Sequence, residues 1–395
     1  MLRALLLLGF LVFGAWAQNG REAWTDVPTD STVGRHLTAD LEALRGILSA
    51  APAEFATEGK PVRLALPARG GGFVEFDIWE SQIVAAPLAE ELGLSTFSGV
   101  GVDDARVSLQ ADLTANGFHA QVRGAPAGRF YIDPDGDAGQ YRCYRPTQVS
   151  GLPRCATEAS GATNAPSQNG SARAAHVKRT YRVIVAASGE FTAKAGGQDL
   201  AIAAITTVIN RVSGILSSEL AIKLELVIDR RLIYEDAATD PYTNTDAEAD
   251  AFANRDTFAA LLPQGNYHIG YVFLTGNKGY GAGKVCSVSR AVGASGMGNR
   301  TTDAFAVDMV AHEIGHQLGA DHSFNGLHGD CYESSSLFHG VEPGSGSTIM
   351  GYAGLCDSAP LRRLFSFGEH QPNPSDCGRC GMPDGGYVWK FCSDR

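Results

Sequence analysis

His312-Glu313-Ile314-Gly315-His316-Gln317-Leu318-Gly319-Ala320-Asp321-His322 is the stretch on which the reading of this chain turns. On a helix, positions four apart lie about 40° from each other, so His312 and His316 aim their imidazoles at one point. Glu313 stands beside them, close enough to address a water at that point without being a ligand. Gly319 comes three residues after the second histidine, where glycine takes the left-handed conformation that ends a helix. The chain then turns back and offers His322 as a third nitrogen. Three nitrogens suit one Zn2+ and leave the fourth tetrahedral position for water, the arrangement of a catalytic zinc rather than a structural one. Such an ion brings the pKa of water down to about 7, and Glu313 would accept the proton and pass it to a leaving amine. A bare His-Glu-x-x-His arises readily by chance; the spaced glycine and third histidine single this run out. Phe305 and Met309 share a face with His312 and His316, which sets the helix on an apolar floor.

The run matches, without a departure, the signature His-Glu-x-x-His-x-x-Gly-x-x-His of the metzincin zinc peptidases. Further on, Ser347-Thr348-Ile349-Met350-Gly351-Tyr352 resembles the Met-turn that lies under the metal in that clan. Residues 321–325 and 344–350 resemble the bacterial reprolysin-like branch, distantly similar to the adamalysins. The resemblance extends from about Arg179 through Met350, and weakly into the first half as that branch's propeptide. It implies an α/β (α+β) catalytic domain with a mixed twisted sheet and an active-site helix, preceded by a small β-rich propeptide domain. It also implies an endopeptidase acting on proteins or peptides, with His312, His316 and His322 as ligands and Glu313 as base. Met350, elsewhere an ordinary core thioether, is then the Met-turn residue. Met-x-Tyr resembles the astacin and serralysin pattern, in which Tyr352 would hydrogen-bond the tetrahedral intermediate. Reprolysins proper usually lack that tyrosine, so a packed Tyr352 with a satisfied hydroxyl is the other reading.

Composition bounds the alternatives. The chain has 395 residues, 44% hydrophobic and 19% charged, an ordinary globular mixture with room for two or three domains. A net charge of −11 provides no electrostatic footprint for nucleic acid or an anionic membrane. Arg3, the apolar run from Ala4 to Phe13 and Ala15-Trp16-Ala17 describe a secretory signal peptide cleaved after Ala17. The protein is therefore expected outside the cytoplasm, extracellular or periplasmic. A membrane anchor needs about 20 apolar residues, and no later segment reads as long and apolar enough. Oligomeric state is not legible. In an oxidising compartment the eight cysteines, an even number in each half of the chain, favour disulfides.

The expected organisation is a signal peptide at 1–17, a propeptide domain at 18–155, a flexible activation linker at 156–178 and a catalytic domain at 179–395 with a Cys-rich end. Leu37, Leu41, Leu44 and Leu48 predict an amphipathic helix over 36–50. Strands are predicted at 62–66, 73–78, 106–111, 117–122 and 129–132. The linker is Ala, Ser, Gly, Thr and Asn with Lys178-Arg179 at its end, either a protease-sensitive segment or a plain tether. Beyond it, strands are predicted at 181–186, 220–228 and 271–274. Helices are predicted from an Asp199 cap through Leu216 and over 248–262. Gly279-Tyr280-Gly281-Ala282-Gly283 lacks the context of a phosphate loop and reads as loop and edge strand, able to hold peptide backbone by strand addition.

Pro153-Arg154-Cys155 resembles the start of the matrixin cysteine switch, in which a propeptide thiolate occupies the open zinc position. Ala156 replaces the glycine expected next, however, and a Cys143–Cys155 disulfide is the plainer expectation. Arg379-Cys380-Gly381-Met382-Pro383-Asp384 matches the switch wording better but follows the catalytic domain. Cys377-x-x-Cys380 with Cys392 and His370 forms either disulfides or a small structural zinc site. The acidic stretch from Asp236 to Asp250 is a solvated loop or a source of oxygens for Ca2+. The alternative function is a non-catalytic secreted binding or adhesion protein that retains the scaffold; the intact Glu313 favours the enzyme.

Overall fold

The computed structural model describes residues 19–29, 34–56, 59–125, 128–136, 138–145, 154–155, 178–263, 265–296, 298, 305–326, 331, 334, 340–352, 377–381 and 387–391. The signal segment, the body of the linker and the region around His370 lie outside them.

The N-terminal region is a nine-stranded antiparallel sheet. Its strands are β1 (Trp24–Asp26), β2 (Arg35–Ala39), β3 (Val62–Pro67), β4 (Phe73–Glu80), β5 (Ser95–Gly101), β6 (Ser108–Thr114), β7 (Gly117–Arg123), β8 (Phe130–Pro134) and β9 (Gln140–Tyr144). They lie in the order β1-β2-β9-β8-β7-β6-β5-β4-β3. Alternate residues such as Leu64, Leu66, Phe76, Ile78, Phe118 and Ile132 build one core. The single helix expected over 36–50 divides. Arg35–Ala39 is strand β2, and α1 (Leu41–Leu48) begins only after Asp40, whose carboxylate accepts from Glu42 N and Ala43 N. Leu37 is buried from the strand, because β2 bridges β1 and β9 and that pairing overrides the helical period. A second short helix, α2 (Ala86–Leu92), follows β4.

The second region is mixed α+β. Its strands are β10 (Arg154–Cys155), β11 (Arg179–Ala187), β12 (Ile222–Val227), β13 (Ile269–Leu274), β14 (Lys278–Gly281) and β15 (Gly293–Gly296), in the order β10-β14-β15-β13-β11-β12. β12, β11, β13 and β15 are parallel neighbours, β14 is antiparallel to β15, and β10 runs parallel to β14. The helices are α3 (Gly189–Ala195), α4 (Gln198–Leu220), α5 (Ala247–Leu261) and α6 (His312–Gln317). Towards the C-terminus, β16 (Cys377–Gly381) and β17 (Tyr387–Phe391) form a hairpin.

Asp199 does not cap α4. The helix starts two residues earlier, at Gln198 after Gly197 at φ 123°, and Asp199 instead accepts from Arg230 Nη1 at 2.6 Å. Contrary to the expectation that no segment after the signal peptide is long and apolar enough to cross a membrane, α4 is so by length and composition. It is apolar on so many sides because it is packed on so many sides, between the second sheet and β6. Its buried polar groups meet partners on the N-terminal region. Asn210 Nδ2 donates to Ala111 O at 2.8 Å and Gln110 Nε2 to Asn210 Oδ1 at 3.0 Å. Thr207 donates to Asp112 at 2.8 Å, and Arg211 forms an ion pair with Asp133.

The expected Cys143–Cys155 disulfide is not formed. Cys143 lies in the core beside β2, where its thiol donates to Pro67 O at 3.4 Å and burial pushes its pKa up to about 12. Cys155 is carried by β10 to the other sheet. Cys143, Cys155 and Cys286 all lack disulfide bonds, whereas Cys331 is disulfide-bonded. The side chains of Cys356, Cys377, Cys380 and Cys392 lie outside the described residues.

Candidate metal centre

A seven-residue π-helical run, Phe305–Ala311, leads directly into α6. The expected continuous α-helix thus has a wider turn just before the first histidine, a distortion common at functional sites. Phe305 and Met309 are buried beneath it, as the shared face required. After α6 the chain reverses at Gly319, with φ 98°, where Gly319 N and Ala320 N bond back to His316 O and Gly315 O. The left-handed turn expected there is what returns His322 to the helix.

The three imidazoles converge. Their Nε2 atoms lie 3.3 Å (His312–His322), 3.2 Å (His312–His316) and 3.1 Å (His316–His322) apart. Each Nδ1 faces a backbone carbonyl: Ile349 O at 2.6 Å from His312, Ala320 O at 2.8 Å from His316 and Ser334 O at 2.7 Å from His322. A carbonyl only accepts, so each Nδ1 carries the proton and each Nε2 presents a lone pair to the cluster. Three lone pairs facing one another repel unless a cation lies among them. A tetrahedral ion about 2.0–2.1 Å from each nitrogen holds its ligands about 3.3 Å apart, so the residues present fit Zn2+. Burial lowers the pKa of His316 to about 4, which keeps that ring neutral and available as a ligand.

Cys155 joins the cluster, its sulfur and the three histidines offering donors that all lie within 4.8 Å of one another. Its thiol donates to Glu313 Oε2 at 3.4 Å and lies 3.5 Å from His316 Nε2. Between the two alternatives open for Cys155, the structure therefore brings it to the histidines. Tyr352 is buried, with its ring 4.8 Å from that of His322, and its hydroxyl donates to Cys155 O at 3.1 Å. Met350 is buried in the turn behind His312, and its carbonyl accepts from Ser323 N at 3.2 Å.

The glycines of β14 acquire a role here that the sequence reading missed. A Cβ on Gly279 would lie 2.3 Å from Glu313 Oε1 and 2.5 Å from Met309 Cε. One on Gly281 would lie 2.4 Å from Glu313 O. The edge strand is glycine-rich because α6 and its carboxylate press against it. Gly279 also pairs in register with Cys155. In the acidic stretch, Asp236, Asp240, Asp246 and Asp250 each accept from backbone N–H groups of nearby loops and helix starts. Among the described residues, the Cys155–histidine group is the cluster of potential metal ligands.

Residues 177–362 match the family model of metallo-peptidase family M12B, reprolysin-like. The chain carries a reprolysin-like metzincin domain. That match spans the converging histidines, Glu313 and the Met-turn. Among solved structures, metalloproteinase-II from Bacteroides fragilis is similar at 14% identity and a TM-score of 0.42, over 76% of this chain and 90% of that one. No curated protein gives a significant match. The reprolysin-like domain accounts for the metallopeptidase character of the site and for protein or peptide as the class of substrate.

Proposed function

We propose that this chain is a secreted zinc-dependent endopeptidase made as a zymogen, with 18–155 as propeptide and cleavage within 156–178 as the activating event. The observation that carries the reading is the trio of Nε2 lone pairs left facing one another, with Glu313 alongside. Zn2+ bound there supplies Lewis acidity that brings the ionisation of water toward neutral pH. Glu313 Oε2 takes the proton from the attacking water and delivers it to the departing amine. Tyr352, whose hydroxyl already donates to a peptide carbonyl in the site, is the donor for the scissile carbonyl oxygen as negative charge grows on it. Substrate backbone pairs along β14, whose glycines leave the strand bare beside Glu313.

Latency follows from the same contacts. Cys155 offers soft sulfur as the fourth donor and engages the catalytic carboxylate. Its carbonyl engages Tyr352, and β10 covers the β14 edge that a substrate needs. Cutting the linker releases all three contacts together.

The test uses secreted protein cleaved in the linker. It should digest casein, lose that activity to a chelator and regain it with Zn2+. Glu313→Ala should bind one zinc yet lose about 10²–10⁴-fold in turnover. Retained cleavage would defeat the base assignment, and absence of stoichiometric zinc would defeat the metal reading.

A further inference from the structure

The third histidine and the turn behind the first are joined by a residue that neither the signature nor the ligand set includes. The Oε1 of Glu342 accepts the hydroxyl protons of both Ser323 and Thr348. Its Oε2 accepts from Ser347 N at 2.7 Å, Thr348 N at 3.1 Å and Ser347 Oγ at 3.3 Å. The backbone of Glu342 pairs with the same segment: Glu342 N donates to Ser323 O at 2.8 Å and Glu342 O accepts from Asn325 N at 3.0 Å. Gly346 lets the carboxylate in, since a Cβ there would lie 3.2 Å from both Glu342 Cδ and Oε1 and its φ is already 69°.

These contacts adjoin the groups that hold the histidines. Ser323 follows His322 directly, and Thr348 precedes Ile349, whose carbonyl holds the Nδ1 proton of His312 at 2.6 Å. Five hydrogen bonds converge on one half-buried carboxylate, and bonds to an ionised acceptor are the strong kind. They outweigh the burial that would raise the pKa of Glu342, and hold it below the usual carboxylate value. A loop and a turn that meet nowhere near each other in sequence thus share one rigid joint.

We propose that Glu342 is a positioning residue of the metal site: it locks the loop after His322 to the turn behind His312 and so sets the spacing of two of the three imidazoles. The inference rests on the metal reading above and adds to it a residue through which ligand geometry is held. Groups that orient metal ligands in this way are worth about 10–100-fold in metal affinity. Glu342→Gln separates charge from geometry. Its amide oxygen still accepts from the Ser347 and Thr348 amides, while its NH2 donates to the two hydroxyls, which reverse their roles.

The experiment measures Zn2+ affinity of the full chain by competition with a chromophoric chelator, together with the visible spectrum of the Co2+-loaded protein and the melting temperature. Glu342→Ala should lose about 10–100-fold in Zn2+ affinity and alter the Co2+ bands, and Glu342→Gln should stay near wild type in both. Ser323→Ala, a milder cut of the same joint, should shift affinity in the same direction if Glu342→Ala does not fold. A Glu342→Ala or Ser323→Ala protein that melts early but binds Zn2+ with wild-type affinity and an unchanged Co2+ spectrum makes Glu342 a mere loop staple and overturns the proposal. Wild-type protein that takes up no stoichiometric Zn2+ removes the metal reading itself, and the proposal with it.

Discussion

The proposed function puts two roles on the hydroxyl of Tyr352. This residue donates to Cys155 O at 3.1 Å while its ring lies against His322. Tyr352→Phe keeps the ring and removes the donor, leaving a buried carbonyl without that bond, at a cost of about 1–3 kcal/mol. The uncleaved chain should then leak, with basal hydrolysis of a fluorogenic peptide up by about tenfold. The cleaved enzyme should lose about 10²-fold in kcat, as when an oxyanion donor is removed. Unchanged rates in both forms would return Tyr352 to the role of a packed side chain. His312, Glu313, His316 and His322 were legible because helical geometry and one glycine turn connect them locally. Cys155 was legible only as one of two alternatives. Its resemblance to a cysteine switch pointed to the histidines, but its contact with Glu313 spans 158 residues, and counting cysteines in an oxidising compartment favoured the wrong partner, Cys143.

At the scale of elements, β14 and α6 are matched by what β14 lacks. The glycine-rich run at 276–283 was readable as loop and edge strand, but not the reason for its glycines, which is the approach of Glu313. Gly279→Ala inserts a methyl group where Glu313 Oε1 and Met309 Cε already lie. Displacing the carboxylate by about 1 Å should cost about 10² in kcat, with Zn2+ stoichiometry unchanged because no ligand is touched. Full activity with the alanine would mean that Glu313 has room to move. Elsewhere, local pattern failed where pairing competed with it: Leu37 fits a helical stripe, yet β2 takes it between β1 and β9. β5, rich in Ser and Gly, carries too weak an alternation to be seen alone and is held by its neighbours β4 and β6.

Across the whole molecule, the polar face of α4 ties the two regions together. Arg211 is 2% exposed and Asp133 15%, so the pair is largely out of water. Burial raises the pKa of Asp133, but the Arg211 guanidinium, His119 and the Tyr144 hydroxyl together hold it below the usual value. A carboxylate with a depressed folded pKa contributes stability above its unfolded pKa and loses it as pH falls through the folded value. The joint should therefore be intact at neutral and mildly acidic pH and weaken only under strongly acidic conditions. Asp133→Asn leaves a buried guanidinium without its counter-charge and should cost about 3–5 kcal/mol. Denaturant unfolding at pH 7 and pH 3 checks this, since the deficit of the variant should narrow at the lower pH. A deficit independent of pH would mean that the charge pair is not what holds the face.

The sequence by itself pointed to the histidine cluster and the carboxylate beside it, to the reprolysin-like domain by resemblance, and to the alternation of strands and helices around them. The cluster and the alternation depend on short-range geometry: a 3.6-residue turn, a two-residue strand repeat, a glycine that reverses the chain. Only the tertiary structure decided that Cys155 lies at the histidines rather than on Cys143, that an apolar 23-residue helix is a shared core, and that Glu342 joins the loop after His322 to the turn behind His312. Those are contacts between segments far apart in the chain. Their partners are selected by which surfaces the packed sheets and helices bring together, and no local pattern encodes that choice.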